Sequence, residues 1–223
     1  MKKVAVAIDG PAAAGKSTVA KLVAAKLGYT YIDTGAMYRA YTWYCMEKGV
    51  NCEDHDASIK FVGEVNIFLN PNGQVLCNDI DVTRAIREPR VSANVSYIAS
   101  YKEIRLFLVE QQRKMAETSS VIMDGRDIGT YVLPKADVKI FQIASVETRA
   151  KRRYDENVSK NIPCTYEEIE EDVRKRDYID SHRDFAPLRC AEDAITLDTS
   201  YMSIEEVVDA IIKIIEEKLK EKK

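Results

Sequence analysis

Residues 10–18 read Gly10-Pro11-Ala12-Ala13-Ala14-Gly15-Lys16-Ser17-Thr18, the spacing G-x-x-x-x-G-K-S. Glycines at that spacing let successive backbone N–H groups converge on one concavity that cradles an anion. A helix starting at the end of such a loop adds the positive end of its dipole to that field. Lys16 would reach the β- and γ-phosphates of a nucleotide, and the Ser17 hydroxyl would ligate Mg²⁺. The pattern is informative because of its flanks. An apolar, β-branched run at 4–8 precedes it, and Val19, Leu22, Val23 and Leu27 follow at helical spacing.

Four further groups carry charge in places where chemistry is done. Asp33-Thr34-Gly35 ends a short apolar run, with Tyr38 and Arg39 one helical turn beyond. An arginine there offers a planar fork to a phosphate. Asp124-Gly125-Arg126-Asp127 ends a second apolar run, at 120–123. A carboxylate at the end of a buried strand suits Mg²⁺, held directly or through water. Arg149, Arg152 and Arg153 form a basic stripe suited to a lid, or equally to a solvated face paired with Glu147 and Glu156. The run Arg174-Lys175-Arg176-Asp177, continued by Asp180, Arg183 and Asp184, reads by itself as salt-bridge decoration. Together these residues suit phosphoryl transfer, which needs alignment and charge neutralisation more than covalent help. A phosphate acceptor is already largely dianionic at neutral pH, so no general base is required. The chain shows no evident catalytic histidine.

Elements must bring these groups together. Strands are predicted at 4–8, 29–32, 120–123, 138–143 and 194–197, and helices at 16–27, 36–48, 56–63, 83–88, 90–99, 101–117, 146–156, 165–180 and from 203 onward. Ser203 and Glu206 form a capping box for the last helix. Strands alternating with helices predict a parallel sheet covered on both faces, with ligands beyond the carboxyl ends of the strands. Residues 64–82 break that rhythm. Val65, Ile67 and Leu69 alternate, Asn70-Pro71-Asn72-Gly73 signals a turn, and Val75, Leu76, Ile80 and Val82 follow. A small antiparallel insertion is predicted there.

The chain has 223 residues, 46% of them hydrophobic, and a formal net charge of −3. It is long enough for one α/β unit with an insertion, and its charge excludes nucleic-acid binding driven by bulk positive potential. The apolar run after Lys3 stops at Asp9, too short for a signal peptide core, and no stretch is long enough to span a membrane. A cytoplasmic protein without membrane or nucleic-acid partners is expected. Cys45, Cys52, Cys77, Cys164 and Cys190 form no C-x-x-C pair and lie apart from His55 and His182, so they read as reduced thiols.

I-D-G-P-x-x-x-G-K-S-T at 8–18, D-T-G-A-M-Y-R at 33–39, D-G-R-D-I-G-T at 124–130 and R-D-x-x-D-S-x-R-x-x-A-P-L at 176–188 resemble the bacterial cytidylate kinases over essentially the whole chain. The resemblance implies an α/β fold, the three-layer P-loop kinase fold, with a β insertion and a short helical lid. It implies a core at about 1–34, 100–148 and 186–223, an acceptor-binding domain at about 35–99 and a lid at about 149–185. The implied reaction is ATP plus CMP or dCMP giving ADP plus CDP or dCDP, with Mg²⁺ as cofactor and a monomer as working unit. ATP would lie on Gly10 to Thr18, and Ser17 and Asp124 would hold the metal. Thr34, Tyr38, Arg39 and Arg126 would meet the acceptor phosphate region; Ser96, Arg105, Asp127 and Arg183 the cytosine; Arg176 and Asp180 the sugar. Lys16, Arg39, Arg126 and the lid residues Arg149 and Arg153 would do the catalytic work. The loop departs from the family pattern at Ala12-Ala13, where members often carry Ser-Gly. Another small-molecule or nucleoside monophosphate kinase of the same fold, acting on UMP, AMP or a non-nucleotide acceptor, is the alternative enzyme, and a protein using ATP only as a conformational signal is the alternative class.

Overall fold

Strand β1 (Ala5–Asp9) is hydrophobic on both faces, with Val6, Ala7 and Ile8 all fully buried. That is the pattern of a central strand in a sheet covered on both sides. The computed structural model describes residues 3–70 and 73–221 and places β1 at the middle of a five-stranded sheet. After β1 come helix α1 (Lys16–Leu27), β2 (Thr30–Asp33), α2 (Thr34–Glu47) and the one-turn α3 (His55–Ser58). Three short strands follow, β3 (Ile67–Leu69), β4 (Val75–Cys77) and β5 (Ile80–Asp81). The second half contains α4 (Pro89–Ile98), α5 (Lys102–Ala116), β6 (Val121–Gly125), β7 (Val138–Ile143), α6 (Val146–Ser159), α7 (Tyr166–His182), β8 (Ile195–Asp198) and α8 (Ile204–Glu221).

The main sheet runs β2-β6-β1-β7-β8 and every pairing in it is parallel. Its strands therefore end on one edge, where Asp9, Asp33 and Asp124 stand side by side in register: Asp33 opposite Asp124, and Asp9 opposite Gly125. On one face, Val6 and Ile8 pack with α1 (Val19, Val23) and α8 (Val207, Ile211, Ile215). On the other, Ala7, Ile32 and Met123 pack against Val109 of α5 and the turn containing Ile128 and Val132. The capping box at Ser203 is present: Glu206 N donates to Ser203 Oγ at 3.3 Å and Ser203 N to Glu206 Oε2 at 2.8 Å.

The insertion is an antiparallel three-stranded sheet, β3-β4-β5. Its apolar side (Ile67, Val75, Cys77) closes a separate core with α2, α4 and α5. Pro71 and Asn72 of the expected turn lie outside the described residues; Gly73 N donates to Asn70 O at 2.9 Å. Helix α2 begins two residues before the predicted 36 because Asp33 caps it, accepting from Ala36 N at 2.7 Å. The predicted helices at 56–63 and 83–88 are instead shorter: α3 running into a 3₁₀ turn at Ile59–Phe61, and a 3₁₀ turn at Ala85–Arg87. Two turns of amphipathic pattern are compatible with either geometry, and 3₁₀ pieces are favoured when the run is this short. All five cysteines are free thiols. No helix among the described residues is long and apolar enough to cross a membrane.

Candidate active site

The phosphate loop leaves β1 at Gly10, whose φ is +152°. A Cβ there would sit 2.0 Å from the backbone oxygen of Gln142 on β7, so only glycine lets the loop start against the neighbouring strand. Gln142 supports it further, donating from Nε2 to Ala14 O at 2.6 Å. Ala13 adopts φ +57°, a left-handed conformation that costs a residue with a Cβ about 1–2 kcal/mol. Ala13→Gly is therefore expected to raise stability by about 0.5–1 kcal/mol after glycine's greater unfolded-state entropy is subtracted. A lower urea midpoint for that variant would show that the loop holds Ala13 without strain.

Lys16 is 5% exposed and folds back on its own loop, donating to Gly10 O and Pro11 O at 2.7 Å each. Burial, and then the Arg126 guanidinium, push its pKa well down, while the carboxylates of Asp124, Asp9 and Asp180 oppose that shift. Ser17 Oγ donates to Asp124 Oδ2 at 2.8 Å, and Tyr31 OH to Asp124 Oδ1 at 2.8 Å. Burial, and then the neighbouring Asp33 carboxylate, push the Asp124 carboxyl up to about 6. Thr34 is buried and spends its hydroxyl proton on Asp124 O at 2.7 Å, tying α2 to the end of β6.

Beyond this edge opens a cleft of about 770 Å³. Its walls include Ala13 to Thr18 of the loop and, opposite, Arg39, Arg126, Arg153 and Arg176. Arg39 pairs with Asp33 (3.2 Å) and Arg126 with Asp180 (2.7 Å). Arg176 keeps a buried Nε with no hydrogen-bond partner, and burial, followed by the like charge of Arg126, lowers its pKa to about 10. Burial pushes the Asp180 carboxyl up, but Arg126, Arg176 and Arg183 outweigh it and hold that carboxyl below its usual value. Four guanidinium groups facing one space, one with an unpaired donor, make a receptacle for phosphate charge.

The same cleft is lined by a buried cluster around Asp127. Asp127 is 4% exposed; its Oδ2 accepts from Arg105 Nη2 at 2.5 Å and its Oδ1 from Arg183 Nη2 at 3.3 Å. Arg105 is 1% exposed and also donates to Ala99 O at 2.9 Å. Its guanidinium lies over the Tyr38 ring, 5.4 Å from the centroid, and Ser96 and Tyr38 line the same space. A carboxylate and two guanidinium groups together offer hydrogen-bond acceptors and donors to the cleft.

A family profile described as cytidylate kinase matches residues 6–217. The chain belongs to the cytidylate kinase family. It is 51% identical over 221 residues to the cytidylate kinase of Anoxybacillus flavithermus, covering 98% of each chain. To that of Bacillus subtilis it is 50% identical over 220 residues, covering 97% of this chain and 98% of the other. Among solved structures, a gluconokinase from Sinorhizobium meliloti superposes with a TM-score of 0.52 at 11% identity, covering 97% of this chain and 94% of that one. The shikimate kinase of Acinetobacter baumannii does so with 0.50 at 15%, with the same two coverages. These two share the fold, a parallel sheet between helices.

The cleft gathers most of the residues singled out in the sequence. Lys16, Ser17, Thr34, Tyr38, Arg39, Ser96 and Arg105 line it from one half of the chain, and Asp124, Arg126, Asp127, Arg153, Arg176, Asp180 and Arg183 from the other. Gly10, Pro11, Ala12 and Arg149 do not line it. Arg149 lies under the loop, 4% exposed, donating to Ala144 O and Ala12 O at 2.9 Å each and pairing with Asp177 at 2.6 Å. Asp177 in turn accepts from Ala12 N at 3.0 Å. Helices α6 and α7 thus clamp the Ala12 peptide on both sides. Arg153 sits at the cleft beside Glu156 at 3.5 Å, and Arg152 donates to Thr199 O at 2.6 Å.

Asp9, Tyr31, Gln142 and Asp177 are the supporting residues that motif reading passed over. Asp9 and Asp177 were inside the quoted motifs, so their presence was visible; their partners, more than 100 residues away, were not. The charge run on α7 separates into two faces. Arg174 pairs with Glu170 at 2.6 Å on the exposed side, whereas Arg176, Asp180 and Arg183, at i, i+4 and i+7, share the cleft side.

Proposed function

We propose that this chain transfers the γ-phosphoryl group of ATP to CMP and dCMP, giving ADP and CDP or dCDP. The observation that carries the reading is one cleft whose lining joins the phosphate loop, Arg39, Arg126, Arg153 and Arg176, and the Arg105–Asp127–Arg183 cluster. ATP lies along the loop from Gly10 to Thr18. Lys16 exchanges the carbonyls of Gly10 and Pro11 for phosphate oxygens. Arg39 and Arg126 hold the acceptor phosphate, with Thr34 and Tyr38 at its side, and Arg153 and Arg176 add charge as the γ-phosphoryl group crosses. Arg176 and Asp180 meet the sugar. Arg149 acts from beneath the loop, through Ala12.

The acceptor phosphate needs no deprotonation, which accords with a cleft whose charged groups are chiefly cations and ion-paired carboxylates. The residues present fit Mg²⁺. A serine hydroxyl and one carboxylate are hard oxygen donors, and this ion keeps much of its shell in substrate phosphates and water. Ser17 and Asp124 would hold it, with Tyr31 orienting the carboxylate. Bound there, Mg²⁺ neutralises charge on the β- and γ-phosphates.

Cytosine presents an amino donor beside a ring-nitrogen acceptor and a carbonyl. Asp127 accepts from the amino group, and Arg105, Arg183 and Ser96 supply donors. Uracil reverses two of those three groups and leaves buried polar atoms unpaired, at about 1–3 kcal/mol each. That supports cytosine over uracil as the base read. The reading takes a monomer, working in the cytoplasm, as the active unit. The division into core, acceptor-binding and lid regions at about 1–34 with 100–148 and 186–223, 35–99, and 149–185 completes the reading. Phosphorus NMR of ATP, CMP and purified protein with Mg²⁺ tests it. ADP and CDP should appear in equal amounts, and excess EDTA should stop both. ADP release independent of acceptor would instead favour the use of ATP as a conformational signal.

A further inference from the structure

The motif residue Asp9 has no part in the chemistry above, yet it is among the most buried carboxylates in the chain, at 4% exposure. It ends β1, immediately before the phosphate loop, and its side chain reaches across to the segment after β6. Its Oδ1 accepts from Ile128 N at 2.8 Å and its Oδ2 from Gly129 N at 2.7 Å. Those are the first two amides of the short π-helical turn Ile128–Val132, which is closed by Val132 N to Asp127 O (3.1 Å) and Leu133 N to Ile128 O (2.7 Å).

The first N–H groups of any helical turn have no partner within it, and an aspartate at the capping position ordinarily supplies one. Asp127 occupies that position here and makes no such bond. Its carboxylate is turned away, onto Arg105 and Arg183. We propose that Asp9 caps this turn in place of Asp127, and so is the positioning residue that leaves the Asp127 carboxylate free to read the acceptor base. The inference rests on the base-reading role given to Asp127 above.

The surroundings are built for that exchange. Two amide donors are met best by the two strong acceptor oxygens of a carboxylate. Burial pushes the Asp9 carboxyl up to about 7, against the pull of the Gly129 and Ile128 amides. A Cβ on Gly129 would lie 3.3 Å from Asp9 Oδ2 and 3.0 Å from the Lys139 side chain, so the close approach uses a residue without one. Without the Asp9 cap, the free amides of the turn compete for the carboxylate of Asp127, which stands at the turn's own capping position. The base pocket then loses its amino-group acceptor, while Arg105 and Arg183 remain.

The test is the ratio of kcat/KM for CMP to that for UMP, in Asp9→Asn and Asp9→Ala, each made in the unaltered chain and in an Asp127→Ala background. Asp9→Asn keeps the shape and one acceptor, so it carries the test if Asp9→Ala does not fold. The ratio is expected to fall about tenfold or more in Asp9→Asn, and to be unmoved by the same change once Asp127 is gone, because residues acting through one group are not additive. Hydrogen exchange at Ile128 and Gly129 should quicken in the same variant. Equal loss on both acceptors, with the ratio unchanged, would overturn the proposal and leave Asp9 a purely structural cap. A ratio near one in the unaltered chain would instead remove the base-reading role of Asp127, and this inference with it.

Discussion

Lys16→Ala is expected to lower kcat by about 10²–10³-fold, the loss typical of removing one preorganised donor from a charge-developing site. The fold should remain intact. In the free protein Lys16 donates to two carbonyls of its own loop, at 2.7 Å each. Burial and Arg126 already disfavour its charge, so its removal relieves as well as removes interactions. Because Lys16 must exchange those carbonyls for phosphate oxygens, most of its effect should fall on kcat and less on KM for ATP. Steady-state kinetics with CMP held saturating, alongside far-UV circular dichroism, checks both parts. Turnover within a few-fold of the unaltered enzyme would contradict the role given to the phosphate loop.

Arg105→Ala should be the most damaging change in the cluster around Asp127. Arg105 is 1% exposed and its pair with Asp127 is closed from solvent. Removing one partner of such a pair leaves an uncompensated charge and costs about 3–5 kcal/mol. Asp127 then retains only the longer contact to Arg183, at 3.3 Å, and Ala99 O loses its 2.9 Å donor. We expect kcat/KM for CMP to fall at least 10²-fold, by the rule for sites built to hydrogen-bond their substrate, with KM for ATP changed only a few-fold. Arg105→Lys should recover little, since an ammonium cannot fork between Ala99 O and Asp127 as the guanidinium does. An ATP KM that rises in step with that for CMP would show that Arg105 supports the whole cleft rather than the base alone.

The parallel sheet was legible because three of its strands carry apolar residues up to an aspartate: Ile8-Asp9, Ile32-Asp33, Met123-Asp124. The insertion was legible because alternation replaced those runs at Ile67 to Val75. Glycine and lysine at fixed spacing located the loop. Arg149 was the residue read least well. Its neighbours Arg152 and Arg153 do line the cleft, and a helix rotates successive residues by about a quarter turn, so one basic stripe divides between two environments. Nothing local tells which of the three turns inward; the Ala12 peptide and Asp177 decide it. The same holds for Asp9 and Asp127, two aspartates whose roles are exchanged by a contact spanning 119 residues.

The central claim is that one cleft couples a general phosphate machine to a cytosine reader. A coupled assay of ADP release with ATP and Mg²⁺, run against CMP, dCMP, UMP, AMP and GMP, tests it most directly. Turnover confined to CMP and dCMP, with UMP at least 10²-fold slower in kcat/KM, is the predicted result, since two reversed groups each leave a buried atom unpaired. Comparable turnover with UMP would contradict it, leaving the phosphate machine standing and the Asp127–Arg105 pair without its role in choosing the base.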